Sequence, residues 1–313
     1  MLKVTNLSKV YEEKTVVDNI TFEAVDNRIY GFLGPNGAGK STTMNMITGY
    51  ISPTKGEITV DEYSMLKNPI AAKKNIGYLP EFPPLYPDMT VYEYLDFACG
   101  IKGFKKKKDR VEEIERIMAL TDIVDVEDYL LKALSKGYKQ RVGLAMALIG
   151  NPKNIILDEP SSGLDPKQIV DIRNLIKKLG KDHTVIVSTH ILSEAEALCD
   201  EIIIISDGKL VALNTSEDLL YKYNQTQEIE LVLKGNSSSA ESFIKNISDV
   251  DDYKLISEDA DSCRILVTSK KDCDIREELS LACQKSGYTI LELNVKSMSL
   301  EDVYLMLTRK VEE

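Results

Sequence analysis

The sequence feature that most constrains the fold is a glycine-rich run followed by lysine and serine. Residues 34–41 read Gly-Pro-Asn-Gly-Ala-Gly-Lys-Ser, which fits the phosphate-binding loop pattern G-x-x-x-x-G-K-[ST]. Its glycines permit backbone conformations in which successive N–H groups turn inward around a phosphate. Lys40 would place a cation against the β- and γ-phosphate oxygens, and Ser41 would offer a hydroxyl to Mg²⁺. The apolar run before the loop predicts a strand, and Thr42–Thr48 predict a helix whose N-terminus faces the phosphates.

Two adjacent acids at the end of a second apolar run complement this loop. Residues 154–157 predict a buried strand, and Asp158, Glu159 and Pro160 follow directly. Asp158 can hold Mg²⁺ through water, and Glu159 can take a proton from the attacking water or orient it. Neighbouring carboxylates repel each other and lose hydration on burial, which disfavours a purely structural role. The pair therefore predicts metal binding and water activation beside the phosphates.

Further motifs occur in the order that is typical of one family, and the chain resembles the ATPases of the ABC family. Leu134-Ser135-Lys136-Gly137 resembles the signature motif, usually spelled LSGGQ, and Ser162-Gly163-Leu164-Asp165 resembles the D-loop. His190 follows an apolar strand and matches the switch histidine. Tyr11 lies where the family places an aromatic ring that stacks on adenine. The resemblance covers roughly residues 2–220.

The resemblance implies ATP and Mg²⁺ as ligands and assigns a role to each motif residue. The residues expected to bind nucleotide are Tyr11, Asn36, Gly37, Ala38, Gly39, Lys40, Ser41 and Thr42. The expected metal ligands are Ser41, Glu81 and Asp158. Catalysis falls to Glu159 and to His190, which would contact the γ-phosphate. The residues expected to face a second subunit's nucleotide are Ser135, Lys136 and Gly137 of the signature motif. Asp165 is assigned to the D-loop, and Glu81 is assigned to the coupling loop.

Several of these residues also have a local explanation. Tyr11 could be an ordinary aromatic at a sheet edge, and His190 could be a helix-capping residue. Ser135 could be the N-cap of the helix that follows it, although an N-cap is itself an anion site, so both roles can hold together. His183, in a polar turn, is expected to be solvated.

Two positions depart from the usual spelling of the family. Glu81 stands where most members carry glutamine, and it adds a charge that would strengthen metal binding or slow switching between phosphate states. Lys136 stands where the signature usually has glycine. It either brings a cation near the other subunit's nucleotide or points to solvent. Neither change indicates a loss of ATPase activity, because Lys40, Ser41 and Glu159 are present.

The resemblance also implies partners. A signature motif lies too far along the fold to reach its own phosphate loop, so family members sandwich two nucleotides between head-to-tail subunits. A homodimer or a heterodimer with another ABC ATPase subunit is expected. The segments 85–90 and 299–305 resemble the ABC-2 type exporter branch, which includes multidrug, antibiotic-resistance and gliding-motility-like ATPases. This branch implies a separate integral membrane permease. The alternatives are an ABC ATPase that moves no solute and a nucleotide-binding regulator without turnover.

Composition excludes other classes of protein. The net charge of −11 disfavours a protein that coats nucleic acid, and no nucleic-acid partner is expected. No apolar stretch approaches the roughly 18 residues needed to span a bilayer, and the start of the chain lacks the apolar block of a signal peptide. The five cysteines have no metal-like spacing and indicate reduced thiols in the cytosol. The chain is therefore expected to be cytoplasmic and peripheral on the inner face of the cell membrane through its permease.

The pattern of elements predicts two α/β domains. Residues 1–222 alternate strands and helices as a P-loop ABC ATPase domain, with a helical insertion at about residues 83–150. Residues 225–313 read as strand, helix, two strands, helix, strand and a final helix, which predicts a small ferredoxin-like accessory or regulatory domain. Val303 and Leu307 on the final helix are expected to pack on this domain's own sheet.

Overall fold

The computed structural model describes residues 1–309, which form two compact units. The first unit comprises residues 1–216 and, at the end of the described chain, residues 306–309, and the second comprises Glu217–Leu305. The predicted accessory domain ends at residue 313, so its last four residues lie outside the described part of the chain.

The first unit contains a strand-rich core and a helical insertion. Its strands are β1 (Leu2–Tyr11), β2 (Lys14–Ala24), β3 (Ile29–Leu33), β4 (Lys55–Val60), β5 (Tyr63–Ser64), β6 (Ile76–Leu79), β7 (Asn154–Asp158), β8 (Thr184–Thr189), β9 (Glu201–Ser206) and β10 (Lys209–Asn214). Its helices are α1 (Lys40–Ile47), α2 (Pro69–Lys74), α3 (Val91–Ile101), α4 (Lys107–Thr121), α5 (Lys136–Leu148), α6 (Pro166–Leu179) and α7 (Leu192–Leu198).

The central sheet carries the ends of three predicted motif strands to one edge. Its order is β10-β9-β3-β8-β7-β6, and the strands from β9 to β6 pair in parallel, while β10 pairs antiparallel with β9. Every residue of β3, β7 and β8 is buried, as is typical of parallel strands covered on both faces. Because these strands are parallel, the phosphate loop, Glu159 and His190 all follow the same edge of the sheet.

A second, antiparallel sheet covers the central one. Its order is β2-β1-β4-β5. Side chains of β1 and β2 share a core with Phe32 of β3 and Met44 of α1, all of them buried. This core fixes the phosphate loop, which connects β3 to α1.

The predicted insertion is helical, as expected, and consists of α3, α4, α5 and two 3₁₀ turns at Val124–Val126 and Leu131–Ala133. The helices pack around a shared apolar core. Thr90 and Glu93 form a capping box at the start of α3, and Ser135 caps α5. None of the helices described for residues 1–309 is long and apolar enough to cross a membrane.

The second unit has the predicted ferredoxin-like topology. Its elements, with the helices that enter and leave it, are α8 (Ser216–Tyr223), β11 (Glu228–Lys234), α9 (Ser237–Ile244), β12 (Val250–Glu258), β13 (Ser262–Ser269), α10 (Arg276–Lys285), β14 (Thr289–Lys296) and α11 (Leu300–Arg309). The strands pair antiparallel in the order β12-β13-β11-β14. Buried side chains of β11, β13, α9 and α10 form its core.

The final helix corrects one prediction. Val303 and Leu307 are both buried, but Val303 belongs to the second unit, whereas Leu307 groups with the first. The end of α11 from Met306 groups with the first unit, where the Thr308 carbonyl accepts a hydrogen bond of 3.4 Å from Ser206 Oγ. The helix therefore does not pack wholly on its own domain.

The prediction that His183 is solvated is also wrong. It is 7% exposed, and its Nδ1 lies 2.8 Å from the carbonyl oxygen of Pro152. This contact offsets the cost of burying the ring, so the residue is structural and not solvated.

Candidate nucleotide-binding site

A cavity of about 340 Å³ opens at the edge of the central sheet where the motif strands end. Most of the predicted site residues line it. The lining residues are Val16, Asn36, Gly37, Gly39, Lys40, Ser41, Thr42, Glu81, Glu159, Ser162 and His190. Five segments that are far apart along the chain thus converge on one volume.

The glycines of the loop are required for two different reasons. Gly39 has φ +99°, and a Cβ there would lie 2.7 Å from the Val16 carbonyl oxygen. Gly34 has no left-handed backbone, but a Cβ would lie 2.4 Å from the Ile205 carbonyl oxygen. The first glycine of the motif is therefore needed for close packing against β9 and the last for its backbone conformation as well. Ala38 does not line the cavity, and its carbonyl oxygen accepts a hydrogen bond of 3.1 Å from the Gly208 N–H.

Lys40 is a buried cation at the first position of α1. Its side chain is 7% exposed, and its ammonium donates to the carbonyls of Gly34 at 2.9 Å and Pro35 at 3.2 Å. Burial lowers the pKa of Lys40, while the carboxylates of Glu159, Asp158 and Glu81 act in the opposite direction. The cavity thus holds one fixed cation among three acids, as a site for a metal-bound polyphosphate requires.

Glu159 has an unusual backbone conformation. Its φ is +50°, in the left-handed region that residues with a side chain rarely adopt. One carboxylate oxygen lies 4.0 Å from Lys40 Nζ, and the other lies 2.9 Å from His190 Nδ1. The side chain of His190 is 48% exposed, whereas that of Glu159 is 12% exposed. The predicted base therefore lies between the loop cation and the predicted switch histidine.

Asp158 lies deeper than Glu159 and is 4% exposed. Its Oδ1 accepts a hydrogen bond from the hydroxyl of Ser188, the residue paired with it on β8. Sequence reasoning did not single out Ser188.

The oxygen donors at this edge fit a magnesium ion. Ser41 and Glu81 line the cavity, and Asp158 ends the strand beside it. Within residues 1–309, no three His, Cys, Asp or Glu side chains converge as a metal cage. Mg²⁺ rarely uses such cages in nucleotide sites; it takes one or two protein oxygens together with substrate phosphates and water. The donor set therefore matches the predicted metal.

The predicted adenine contact lies outside the cavity. Tyr11 ends β1 and is 45% exposed, with Lys9 Nζ 5.0 Å from its ring centroid. Its hairpin does reach the cavity through Val16 on β2. Val16 had no motif to reveal it, because its position depends on how β2 lies against the loop.

The signature motif is not part of this cavity, as the described residues show. Ser135 caps α5 by accepting a 3.4 Å hydrogen bond from Tyr138 N, so its local role is present. Gly137 packs against Gln168: a Cβ on the glycine would lie 2.7 Å from that amide. Gln168 forms a capping box with Asp165 at the start of α6. The signature of this chain therefore contacts the D-loop region through Gln168, which is hydrogen-bonded to Asp165.

Lys136 adds a second contact between these motifs. A Cβ built on Gly163, which has φ +65°, would lie 2.2 Å from Lys136 Nζ. The lysine thus lies against the D-loop of its own chain and is also exposed to solvent.

Glu81 connects two cavities. It lines the nucleotide cavity and also a neighbouring cavity of about 380 Å³. The residues that share the second cavity are Phe82, Pro83, Leu85, Pro87, Leu131, Lys132, Lys136, Lys139 and Gln140. Glu81 therefore lies between the nucleotide cavity and the helical insertion.

Comparison with known proteins agrees with this geometry. A family model described as ABC transporter matches residues 17–162. The ABC transporter ATP-binding protein YcbN of Bacillus subtilis, itself uncharacterized, is 34% identical over 98% of this chain and 96% of its own length. The chain belongs to the ABC transporter ATP-binding proteins. This ABC ATPase is also 32% identical to the bacitracin transport ATP-binding protein BcrA of Bacillus licheniformis, over 98% of this chain and 97% of that one.

Solved structures of ABC ATPases share the fold. Two structures of the bacterial ABC transporter cassette MJ0796 each match with a TM-score of 0.63 and 28% identity, over 69% of this chain and 98% of theirs. One is dimeric, and the other is a dimeric post-hydrolysis state bound to ADP and phosphate. The present chain is thus an ATP-binding and hydrolysing subunit of an ABC transporter.

Proposed function

We propose that this ATPase subunit powers export of a solute through a separate membrane permease. The support is the likeness to BcrA over almost the whole of both chains, together with the segments that resemble the ABC-2 exporter branch. The subunit acts as a dimer with a copy of itself or a related ATPase, on the cytoplasmic face of the membrane that holds the permease.

The observation that carries the mechanism is the position of Glu159 between Lys40 and His190 at the cavity. Lys40 binds the β- and γ-phosphates, and the N–H groups of the loop surround them. Glu159 accepts the proton of the attacking water, and His190 holds the carboxylate and contacts the γ-phosphate. Ser135 and Gly137 complete the site of the partner's nucleotide.

Ser41, Asp158 and Glu81 are the residues that would hold Mg²⁺. The ion would neutralise charge on the phosphate oxygens during transfer to water. Glu81, which lines both cavities, would pass the state of the nucleotide site to the helical insertion and from there to the permease. Residues 1–222 would serve as the ATPase domain and residues 225–313 as an accessory domain.

Glu159→Gln tests the mechanism. The amide keeps the size of the side chain but cannot take a proton, so we expect ATP affinity to persist while turnover falls by about 100-fold or more. The variant should also accumulate as an ATP-bound dimer, measured by size-exclusion chromatography with light scattering. Glu196→Gln, on an exposed glutamate of α7, is the matched control. Normal turnover in Glu159→Gln would show that another group is the base.

Co-purification tests the transport role. The tagged chain, extracted with detergent from membranes of its own cell, should bring down a polytopic membrane protein. An ABC ATPase that moves no solute would retain ATP hydrolysis and have no such partner.

A further inference from the structure

The end of β8 carries a buried serine that contacts both acids of the site. Ser188 is 0% exposed and pairs with Asp158 across the parallel strands β7 and β8. The pairing brings its hydroxyl to the point where β7 ends and the chain turns into Glu159.

The hydroxyl of Ser188 is used twice. It donates to Asp158 Oδ1, and it accepts the backbone N–H of Glu159 at an N···O distance of 3.0 Å. The same N–H also faces the carbonyl oxygen of Ser188 at 3.2 Å. A serine hydroxyl can donate and accept at the same time, because it has one O–H donor and two acceptor lone pairs.

These bonds act where the backbone is strained. Glu159 has φ +50°, which a glutamate adopts only when its surroundings hold it there. An extended residue at this position would continue the direction of β7, and its side chain would not lie between Lys40 and His190. The Glu159 N–H donates hydrogen bonds to the hydroxyl and to the carbonyl oxygen of Ser188, and these two bonds hold the peptide that precedes the left-handed residue.

We propose that Ser188 is a positioning residue for ATP hydrolysis. It orients the Asp158 carboxylate toward the metal side of the cavity and stabilises the left-handed conformation that directs Glu159 to the attacking water. Ser188 itself touches neither nucleotide nor water. The inference rests on the proposed roles of Glu159 and Asp158.

The test compares three variants of the full-length chain. Ser188→Ala removes both bonds of the hydroxyl, and we expect turnover to fall by about 10- to 100-fold, the range found when positioning groups around a metal site are removed. ATP affinity should stay within about twofold, since no contact to nucleotide is lost. Ser188→Thr keeps the hydroxyl and should restore most of the turnover. Thr184→Val removes a buried hydroxyl at the opposite end of the same strand and is the matched control.

A double substitution separates positioning from general loosening of the fold. If Ser188 acts through Glu159, Ser188→Ala should cause little further loss of turnover in the Glu159→Gln background at saturating Mg²⁺. Mn²⁺ affinity of the ATP-bound Glu159→Gln protein, measured by electron paramagnetic resonance, should weaken when Ser188 is also replaced, because Asp158 loses its donor.

Each outcome decides the proposal. Wild-type turnover in a folded Ser188→Ala variant, or losses that multiply in the double substitution, would overturn it. Should Ser188→Ala not fold, Ser188→Cys takes its place: the thiol fills the same space but is a weak donor, so it must also lose turnover. Normal turnover in Glu159→Gln alone would refute the proposed mechanism and, with it, the role of Ser188 in positioning Glu159 for hydrolysis.

Discussion

At the scale of single residues, the nucleotide cavity depends on one buried cation. Lys40 is surrounded by the carboxylates of Glu159, Asp158 and Glu81, which stabilise its charge against the effect of burial. We expect Lys40→Ala to weaken ATP binding by about 10- to 100-fold, because charge-assisted bonds to phosphate are lost and the acids then face the phosphates unopposed. ATP affinity should be measured by isothermal titration calorimetry. Lys181→Ala is the control variant, because Lys181 is exposed and precedes β8, at the opposite end of that strand from His190. Undiminished affinity would contradict the phosphate-loop assignment.

The site residues predicted from the sequence are those whose chemistry follows from a local sequence pattern. Lys40 and Ser41 follow from loop spelling, and Glu159 follows from two acids at the end of an apolar strand. Ser188 could not be found this way, since a serine at a strand end is common and its contacts arise from the register of β7 against β8. The left-handed backbone of Glu159 was hidden for the same reason: a glutamate gives no sign of it.

At the scale of elements, the short helix α7 links two loops of the site. Glu194 Oε2 accepts hydrogen bonds from Ser161 Oγ at 2.7 Å and Thr189 Oγ1 at 3.1 Å. Ser161 lies two residues after Glu159, and Thr189 precedes His190. One carboxylate on α7 therefore joins the segment after Glu159 to the segment that carries the histidine.

Removing this carboxylate should loosen both loops without touching the nucleotide. For Glu194→Ala we expect kcat to fall by about tenfold, the lower end of the range for outer contacts of a metal site, while KM for ATP changes little. Glu196→Ala on the same helix is the control, because its side chain is exposed. Equal kcat values for the two variants would rule out this role, as would a rise in KM that accounts for the whole effect.

The strands of the central sheet were predictable because their burial on both faces leaves continuous apolar runs, as in β7 and β8. The burial of His183 was not, because the turn around it is polar and the acceptor, the carbonyl of Pro152, lies 31 residues away in sequence. Local composition describes the neighbours along the chain, whereas burial depends on neighbours in space.

At the scale of the whole molecule, every residue that lines the nucleotide cavity precedes residue 191. We expect a chain that ends after Tyr223 to bind ATP within about twofold of normal affinity, since no binding group is removed. Its nucleotide-driven dimerisation, followed separately by light scattering, should change. A truncated protein that is demonstrably folded yet cannot bind ATP would contradict the assignment of residues 225–313 as an accessory domain.

A chain that ends after Met298 is the necessary companion, because it removes α11 alone. Leu307 on that helix is buried and groups with the first unit. Loss of the buried Leu307 side chain should lower the free energy of unfolding by about 1.5–3 kcal/mol in both truncated chains. The order of elements predicted the ferredoxin-like sheet correctly. The position of α11 could not be predicted in the same way, because an apolar face on a helix does not specify which apolar surface it packs against.

The contacts between the signature and the D-loop bear on how two active sites would communicate. Gly137 and Lys136 touch Gln168 and Gly163 of the same chain, while Ser162 of the D-loop lines that chain's own cavity. In a head-to-tail dimer, a nucleotide held by the signature would thus bias the conformation of the opposite site through these contacts. Such coupling is reciprocal by thermodynamic necessity, so each ATP would alter the affinity for the other by the same factor. Cooperativity between the two sites would then arise within each subunit as well as across their interface.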